Sequence, residues 1–151
     1  PILNSTLKGE EVKVWRRINI CVAIDTPGGL VAPVVKDADR PSLVELTEAV
    51  EDLASRARED RLRAEDMKGG TFTLTNLGML GVDQFQPIIN PPQAAILAVG
   101  RISQRPTVEG GEIVVKPMAT LSLAFDHRIV DGAPAARFLG RLREILQTLE
   151  E

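Results

Sequence analysis

The stretch LSLAFDHRIVDGAP, residues 121–134, joins a predicted strand to a predicted helix through a short turn. Apolar residues fill every second position from 121 to 125, which is the period of a half-buried strand. Pro134 suits the first turn of a helix, and Asp131 stands where a capping residue would precede that turn. The turn carries His127, the only histidine in the chain. An imidazole there can reach a cleft and move a proton near neutral pH, although such a histidine is more often structural.

The composition is that of one globular domain. The 151 residues are 44% hydrophobic and 26% charged, which is enough apolar material for a sizeable core. The net charge of −3 gives no electrostatic reason to expect nucleic acid or an anionic membrane as a partner. A single cysteine excludes a disulfide within the chain and suits a reducing compartment. No apolar run approaches the ~20 residues of a membrane span.

An alternating pattern over residues 18–24 predicts a strand with one apolar face. The segment PGG at 27–29 turns the chain, and a second apolar run follows at 30–35. The two runs predict a hairpin, in which Pro33 indicates an edge strand or a bulge. Cys21 lies beside the apolar stripe of the first strand and is expected to pack there.

Two helices are predicted. The first runs from about Ser42 to Arg58, because Ser42 and Glu45 have capping-box spacing and apolar residues recur at helical spacing after them. The second runs from about Ala133 to Leu149, with an apolar stripe at Phe138, Leu142, Ile145 and Leu149. Residues 61–67 are expected to form a short helix or a turn.

Three more strand regions are predicted. In residues 71–75 the three threonines share one face and Phe72 and Leu74 the other. Residues 94–99 form the continuous apolar run of a strand covered on both faces. Gly110 and Gly111 separate two β-rich runs in a predicted hairpin. No glycine pattern matches a phosphate-binding or dinucleotide fingerprint, and no Cys/His cluster or acidic loop indicates a metal site.

Several collinear blocks resemble the dihydrolipoyl acyltransferases, the core subunits of 2-oxo acid dehydrogenase complexes. The blocks are VAIDTPGGL at 22–30, GTFTLTNLG at 70–78, FQPIINPPQAAIL at 85–97 and AFDHRIVDG at 124–132. The resemblance implies a chloramphenicol-acetyltransferase-like α/β fold, a two-layer sandwich with a mixed sheet and packed helices. It also implies that residues 1–151 are a catalytic domain lacking its N-terminal part, with no lipoyl or peripheral-subunit-binding domain present.

The resemblance further implies transfer of an acyl group between a dihydrolipoyl arm and coenzyme A. A thiol with a pKa near ~8.5 is mostly protonated at neutral pH, and its thiolate is the nucleophile, so a base is needed. His127 is the expected base, and Thr75 the expected donor to the tetrahedral oxyanion. Asp131 is expected to hold the loop that carries His127, with Arg128 in a similar role. Asp131 could instead cap the final helix or pair with an arginine.

The expected substrate-binding residues are Asp25, Asn76 and Gly78. Asp25 could instead simply begin a turn. Thr75 could likewise be an ordinary threonine at the end of a strand. Thiol attacks thioester directly in this chemistry, so Cys21 is not required as a nucleophile.

The family likeness also implies a homotrimer with active sites between subunits, assembled into larger cubic or dodecahedral cores. The expected partners are a lipoyl domain and the dehydrogenase components of the complex, with coenzyme A as substrate and no metal. The expected compartment is the cytoplasm, or the mitochondrial matrix in a eukaryote, and the expected acyl group is acetyl or branched-chain. Two rival hypotheses are an inactive structural core subunit and transfer to a small alcohol or antibiotic.

Overall fold

The computed structural model describes residues 2–149, so both ends of the predicted domain, residues 1 and 151, lie outside it. These residues form eleven strands, two α-helices and one 3₁₀ turn at Gly78–Leu80. The helices are α1 (Leu43–Arg58) and α2 (Gly132–Thr148). The strands are β1 (Ser5–Lys8), β2 (Glu11–Val14), β3 (Ile20–Val22), β4 (Ile24–Thr26), β5 (Gly29–Val31), β6 (Val34–Val35), β7 (Phe72–Asn76), β8 (Ala95–Val99), β9 (Ser103–Glu109), β10 (Glu112–Met118) and β11 (Leu121–Phe125).

A five-stranded mixed sheet is the centre of the fold. Its strand order is β11-β8-β7-β3-β6. The middle strand β7 runs parallel to both β3 and β8, while β11 and β6 are antiparallel to their neighbours. The remaining strands form three two-stranded hairpins, β1–β2, β4–β5 and β9–β10. The predicted mixed sheet with packed helices is therefore confirmed.

One face of the sheet packs against α2. Phe72 and Leu97 from the sheet join Val130 and Ala135 in the buried core, and the rings of Phe72 and Phe138 lie 6.0 Å apart. The predicted apolar stripe of α2 is correct for its first half, because Phe138 and Leu142 pack on this core.

The second half of that predicted stripe is wrong as a core contact. Ile145 and Leu149 are 43% and 64% exposed. A helix of 17 residues is about 25 Å long, whereas a five-residue strand such as β11 spans only about 17 Å. The end of α2 therefore projects past the sheet.

The predicted N-terminal hairpin is present but divided. Its first strand splits into β3 and β4 at Ala23, whose N–H donates to the carbonyl of Leu74 in the central strand. Its second strand splits into β5 and β6 around the buried Pro33, and β6 is an edge strand of the sheet, as that proline indicated. Cys21 is buried as expected.

The first helix begins as predicted. The hydroxyl of Ser42 accepts from the backbone N–H of Glu45, and the carboxylate of Glu45 accepts from the backbone N–H of Ser42, which completes a capping box. The helix packs against β4 and β6. Residues 64–67 form a turn and not a helix.

Asp66 holds that turn in place. Its carboxylate accepts from the Arg56 side chain at 2.6 Å and from the backbone N–H of Arg63 at 2.8 Å. These hydrogen bonds lower the pKa of Asp66 to about 2 from its ordinary 3.8, with the backbone bond from Arg63 the largest cause. The side chain thus links the turn to α1.

One feature of the structure was not anticipated from the sequence pattern. The β1–β2 hairpin near the start was missed, and Thr6 forms an isolated bridge to Gln93 that joins it to the rest of the fold. No helix within residues 2–149 is long and apolar enough to cross a membrane.

Candidate active site

His127 lies in the turn that directly follows β11. Its side chain is 72% exposed, and its ring centroid lies 5.7 Å from that of Phe125. Its Nδ1 is 3.8 Å from Oδ1 of Asp131, which is too long for a hydrogen bond. The imidazole is therefore presented to solvent at one end of the sheet.

Asp131 occupies the N-cap position of α2, as expected, but its carboxylate makes no capping hydrogen bond. The side chain is 83% exposed, and no ion pair to an arginine is found for it among residues 2–149. The structure thus places Asp131 beside His127. It shows neither of the two alternative contacts considered for this carboxylate.

Asp126 is a residue that sequence reasoning did not single out. Its carboxylate binds the guanidinium of Arg128 at 2.7–3.2 Å through both oxygens and also accepts the Arg128 backbone N–H at 3.0 Å. The hydrogen bonds from Arg128 hold the pKa of Asp126 below its ordinary value. An acid and a base flanking the single histidine were the signal in the sequence that could have revealed this pair.

Thr75 lies near the far end of β7, half-buried, on the sheet face opposite α2. It lines a cavity of about 850 Å³ together with Cys21, Ala23 and Thr73 from the sheet and with residues 85–93. The Thr75 side chain can therefore contact a molecule that enters the cavity. His127 is not part of the cavity wall.

A buried polar chain supports this cavity wall. The hydroxyl of Thr73 donates to Oε1 of Gln93 at 2.6 Å, and Nε2 of Gln93 donates to the sulfur of Cys21 at 3.1 Å. All three side chains are buried. The face of β7 that carries Thr75 is therefore fixed to β3 through hydrogen bonds.

Asn76 and Gly78 shape the loop after Thr75. The side-chain oxygen of Asn76 accepts from the backbone N–H of Gly78 at 2.7 Å. A Cβ on Gly78 would lie 2.8 Å from the carbonyl oxygen of Gly100, so only glycine fits this close approach. These two expected substrate-binding residues therefore shape the loop and bring it close to the backbone at Gly100.

Asp25 is exposed in the short hairpin strand β4, where it stands opposite Leu30. It is absent from the wall of the cavity that Thr75 lines. Its strand continues β3 beyond the level of Leu74, so Asp25 lies at the same end of the sheet as Thr75.

The strand register separates the candidate residues into two groups. Thr75 is level with Ala98 of β8, and Ala98 is level with Ser122 of β11, five residues before His127. Ser122 and Phe125 are about 10 Å apart along β11, and two strand spacings add about 10 Å sideways. His127 lies still further along the chain. Each chain therefore carries His127 with Asp131 at one end of the sheet, and Thr75 with Asn76, Gly78 and Asp25 at the other.

The sequence model of the family described as 2-oxoacid dehydrogenases acyltransferase (catalytic domain) matches residues 1–151. The chain belongs to this family. Two relatives are the Bacillus subtilis dihydrolipoyllysine-residue acetyltransferase component of the pyruvate dehydrogenase complex and the Haemophilus influenzae succinyltransferase component of the 2-oxoglutarate dehydrogenase complex. The first is 45% identical over 97% of this chain and 34% of its own length. The second is 40% identical over 97% of this chain and 36% of its own length.

Solved structures of the family have the same fold. A probable dihydrolipoamide acetyltransferase from Listeria monocytogenes has a TM-score of 0.97 at 40% identity, over 100% of this chain and 64% of its own. The cubic core of a pyruvate dehydrogenase multienzyme complex has a TM-score of 0.94 at 40% identity, over 97% of this chain and 61% of its own. The chloramphenicol-acetyltransferase-like architecture implied by the sequence is thereby confirmed.

A third structure comes from a study of the roles of one serine, one histidine and one asparagine in the catalytic mechanism of Azotobacter vinelandii dihydrolipoamide acetyltransferase. It has a TM-score of 0.95 at 39% identity, over 98% of this chain and 62% of its own. The chain spans about a third of the length of the curated relatives it matches. Within residues 2–149, no group of three or more His, Cys, Asp or Glu side chains is arranged to hold a metal ion.

Proposed function

We propose that this chain is the catalytic portion of a dihydrolipoyllysine-residue acyltransferase, which moves an acyl group between a dihydrolipoyl arm and coenzyme A. One observation carries the residue assignment. In the Azotobacter acetyltransferase the serine and histidine are separated by the same number of residues as Thr75 and His127, and the asparagine follows the histidine at the same spacing as Asp131. The equal spacing supports assigning the three roles to Thr75, His127 and Asp131.

Two of the three positions differ in residue type. Thr75 replaces a serine, which retains the hydroxyl that a donor to an oxyanion requires. Asp131 replaces an asparagine, which retains the size and one acceptor oxygen but adds a negative charge. Asp131 has no amide N–H, so a role that needs this donor is not available at this position.

The chemistry can be carried by these side chains alone. His127 takes the proton from the attacking thiol, whose sulfur forms a bond to the thioester carbon. The hydroxyl of Thr75 donates to the tetrahedral oxyanion while the charge is on oxygen. The bond to the leaving sulfur then breaks, and the protonated His127 returns its proton to that thiolate. The reaction consumes one thioester and one thiol and produces one thioester and one thiol. Because the thiol attacks the thioester directly, no acyl-enzyme is needed.

The geometry supports a site made by two copies of the chain. Thr75 and His127 lie at opposite ends of one sheet and do not share a cavity within a chain. A ring of identical copies, each using the same heterologous contact, can bring one copy's Thr75 to the next copy's His127. The proposal includes the homotrimer that the family resemblance implies, assembled into a larger cubic or dodecahedral core.

The proposed partners follow from the same activity. They are a lipoyl domain that delivers the acyl group, the dehydrogenase components that load it, and coenzyme A as acceptor. Asp25, Asn76 and Gly78 are proposed to border the substrate path at the Thr75 end. The proposed compartment is the cytoplasm, or the mitochondrial matrix in a eukaryote. The acyl group is proposed to be acetyl or branched-chain.

The rival hypothesis of an inactive structural core is tested by direct assay of assembled protein. Acetyl-, isobutyryl- and succinyl-coenzyme A are each offered with free dihydrolipoamide, and loss of the coenzyme A thioester is followed. We expect transfer from at least one donor, and none when dihydrolipoamide is omitted. Correctly assembled protein that transfers none of the three groups would favour the structural core. Transfer to a small alcohol in place of dihydrolipoamide would favour the third hypothesis.

A further inference from the structure

We propose that Asp126 and Arg128 are positioning residues for His127, an assignment that rests on the proposed function of His127 as the base. The two side chains flank the histidine and bind each other across it. Neither is required to touch substrate in this role. Their function is to hold the backbone at His127 in one conformation, which sets the orientation of the imidazole.

The contacts between Asp126 and Arg128 enclose His127, and we call this pair the clamp. Oδ1 of Asp126 accepts from both the backbone N–H and the Nε of Arg128 at 3.0 Å, and Oδ2 accepts from Nη2 at 2.7 Å. The peptide units on both sides of His127 are enclosed in the ring that these bonds close. A bidentate guanidinium–carboxylate pair is among the more directional contacts that side chains make.

The backbone of Asp126 anchors the clamp to the sheet. Its N–H donates to the carbonyl of Ala94, which directly precedes β8, and its carbonyl accepts from the N–H groups of Ile129 and Val130. Val130 is fully buried in the core. The turn is therefore fixed at both ends. The bonds between Asp126 and Arg128 fix the backbone conformation around His127, between those ends.

The imidazole has no comparable support of its own. It is 72% exposed, and its Nδ1 lies 3.8 Å from Oδ1 of Asp131, which is beyond hydrogen-bond distance. If Thr75 comes from a neighbouring copy, the base must be aimed across an interface. Small misplacements of reacting groups lower the reaction rate by large factors. We therefore expect the turn to set the orientation of the His127 imidazole.

The exposure of Arg128 separates this role from a merely structural one, whereas the Asp126 side chain is only 18% exposed and is not suited to that distinction. The side chain of Arg128 is 73% exposed, so its replacement leaves no cavity. Exposed ion pairs contribute little to folding stability. Replacement of Arg128 should therefore change catalysis much more than it changes unfolding.

The test uses assembled protein and two substitutions. Arg128→Lys keeps the charge but loses the planar fork, and Asp126→Asn keeps an acceptor for the Arg128 backbone N–H but loses the charge. Arg141→Lys is the matched control, because Arg141 pairs with Glu144 on the exposed surface of α2. For each we would measure kcat, KM for both substrates and thermal stability, and repeat the first two substitutions in a His127→Ala background.

We expect both clamp variants to lower kcat about tenfold or more with KM close to that of Arg141→Lys, and we expect the exposed substitution Arg128→Lys also to keep the thermal stability of that control. In the His127→Ala background the same substitutions should cause no further loss, because there is no imidazole left to position. Three results would overturn the assignment: kcat equal to that of the control, a raised KM with unchanged kcat, or an undiminished loss in the His127→Ala background. Normal activity of His127→Ala itself would instead overturn the proposed function.

Discussion

Thr75 is level with Ser122 across the sheet, and His127 follows Ser122 by five residues in the direction that leads away from Thr75. Thr75 also faces the cavity side of the sheet, whereas the turn with His127 leads into the helix on the other side. The two residues that the proposed chemistry needs together are thus held apart within a chain by the sheet itself. A rearrangement that brought them together would have to break strand pairing.

His127→Ala should lower turnover by at least about 10²-fold, because the attacking thiol loses the base that takes its proton. The side chain is exposed, so we expect folding and assembly to be unchanged. The measurement is kcat on protein shown by size to be assembled. Near-normal kcat in such a sample would remove His127 from the mechanism.

Thr75→Ala should lower kcat by about 10²–10³-fold with a smaller effect on KM, since the hydroxyl acts mainly on the charge that develops in the transition state. Thr75→Ser is the matched control and should keep most of the activity, because it keeps the donor. Equal activity of the alanine and serine variants would show that the Thr75 hydroxyl is not the donor.

Asp131→Asn should keep most of the activity and the full thermal stability. The residue is exposed and makes no capping hydrogen bond, and its spacing from His127 equals that between the histidine and the asparagine studied in the Azotobacter acetyltransferase. Asp131→Ala removes the acceptor oxygen as well and should lose about tenfold more, or about 1.4 kcal/mol of transition-state stabilisation. The two variants are compared by kcat and by thermal unfolding. A large drop in unfolding temperature for Asp131→Asn would indicate a structural role for the charge.

Asp66→Asn should lower stability at neutral pH in a way that disappears in acid. The pKa of Asp66 is lowered to about 2 from 3.8, so the unfolded chain binds its proton more readily and the folded state gains stability as pH rises. That gain is complete above about pH 5 and is lost progressively as pH falls through 3.8 toward 2. Urea unfolding at several pH values would measure the difference between parent and variant.

Glu65→Gln is the control for that series, because Glu65 forms an exposed ion pair with the same Arg63. It should change stability little at any pH. A deficit of Asp66→Asn that is equally large at pH 3 and pH 7 would contradict the ionic account of this turn.

Features that depend on interactions between residues close in sequence could be predicted from the sequence. The capping box at Ser42 and Glu45 and the alternation around Phe72 depend on neighbours in the chain, and both appear as predicted. The exposed end of α2 was not predictable in this way, because the length of the sheet beneath a helix is set by strand pairing. Pairing over long sequence separation, such as Thr6 with Gln93, leaves no periodic pattern.

The candidate site shows the same division. The residue types and spacing at Thr75, His127 and Asp131 pointed to acyl-transfer chemistry through resemblance. The clamp between Asp126 and Arg128 became visible only with coordinates, because two charged residues in a turn are usually solvated separately. The separation of Thr75 from His127 likewise depends on the register of three strands, which no local pattern encodes.

The central claim is that each active site takes Thr75 from one copy and His127 from another. Inactive His127→Ala and Thr75→Ala subunits, unfolded together and reassembled, measure it most directly. Mixed assemblies contain some interfaces with both residues intact, so the account predicts partial recovery of transferase activity, while each parent reassembled alone stays inactive. A mixture shown to contain hybrid assemblies, yet as inactive as its parents, would contradict a site shared between copies.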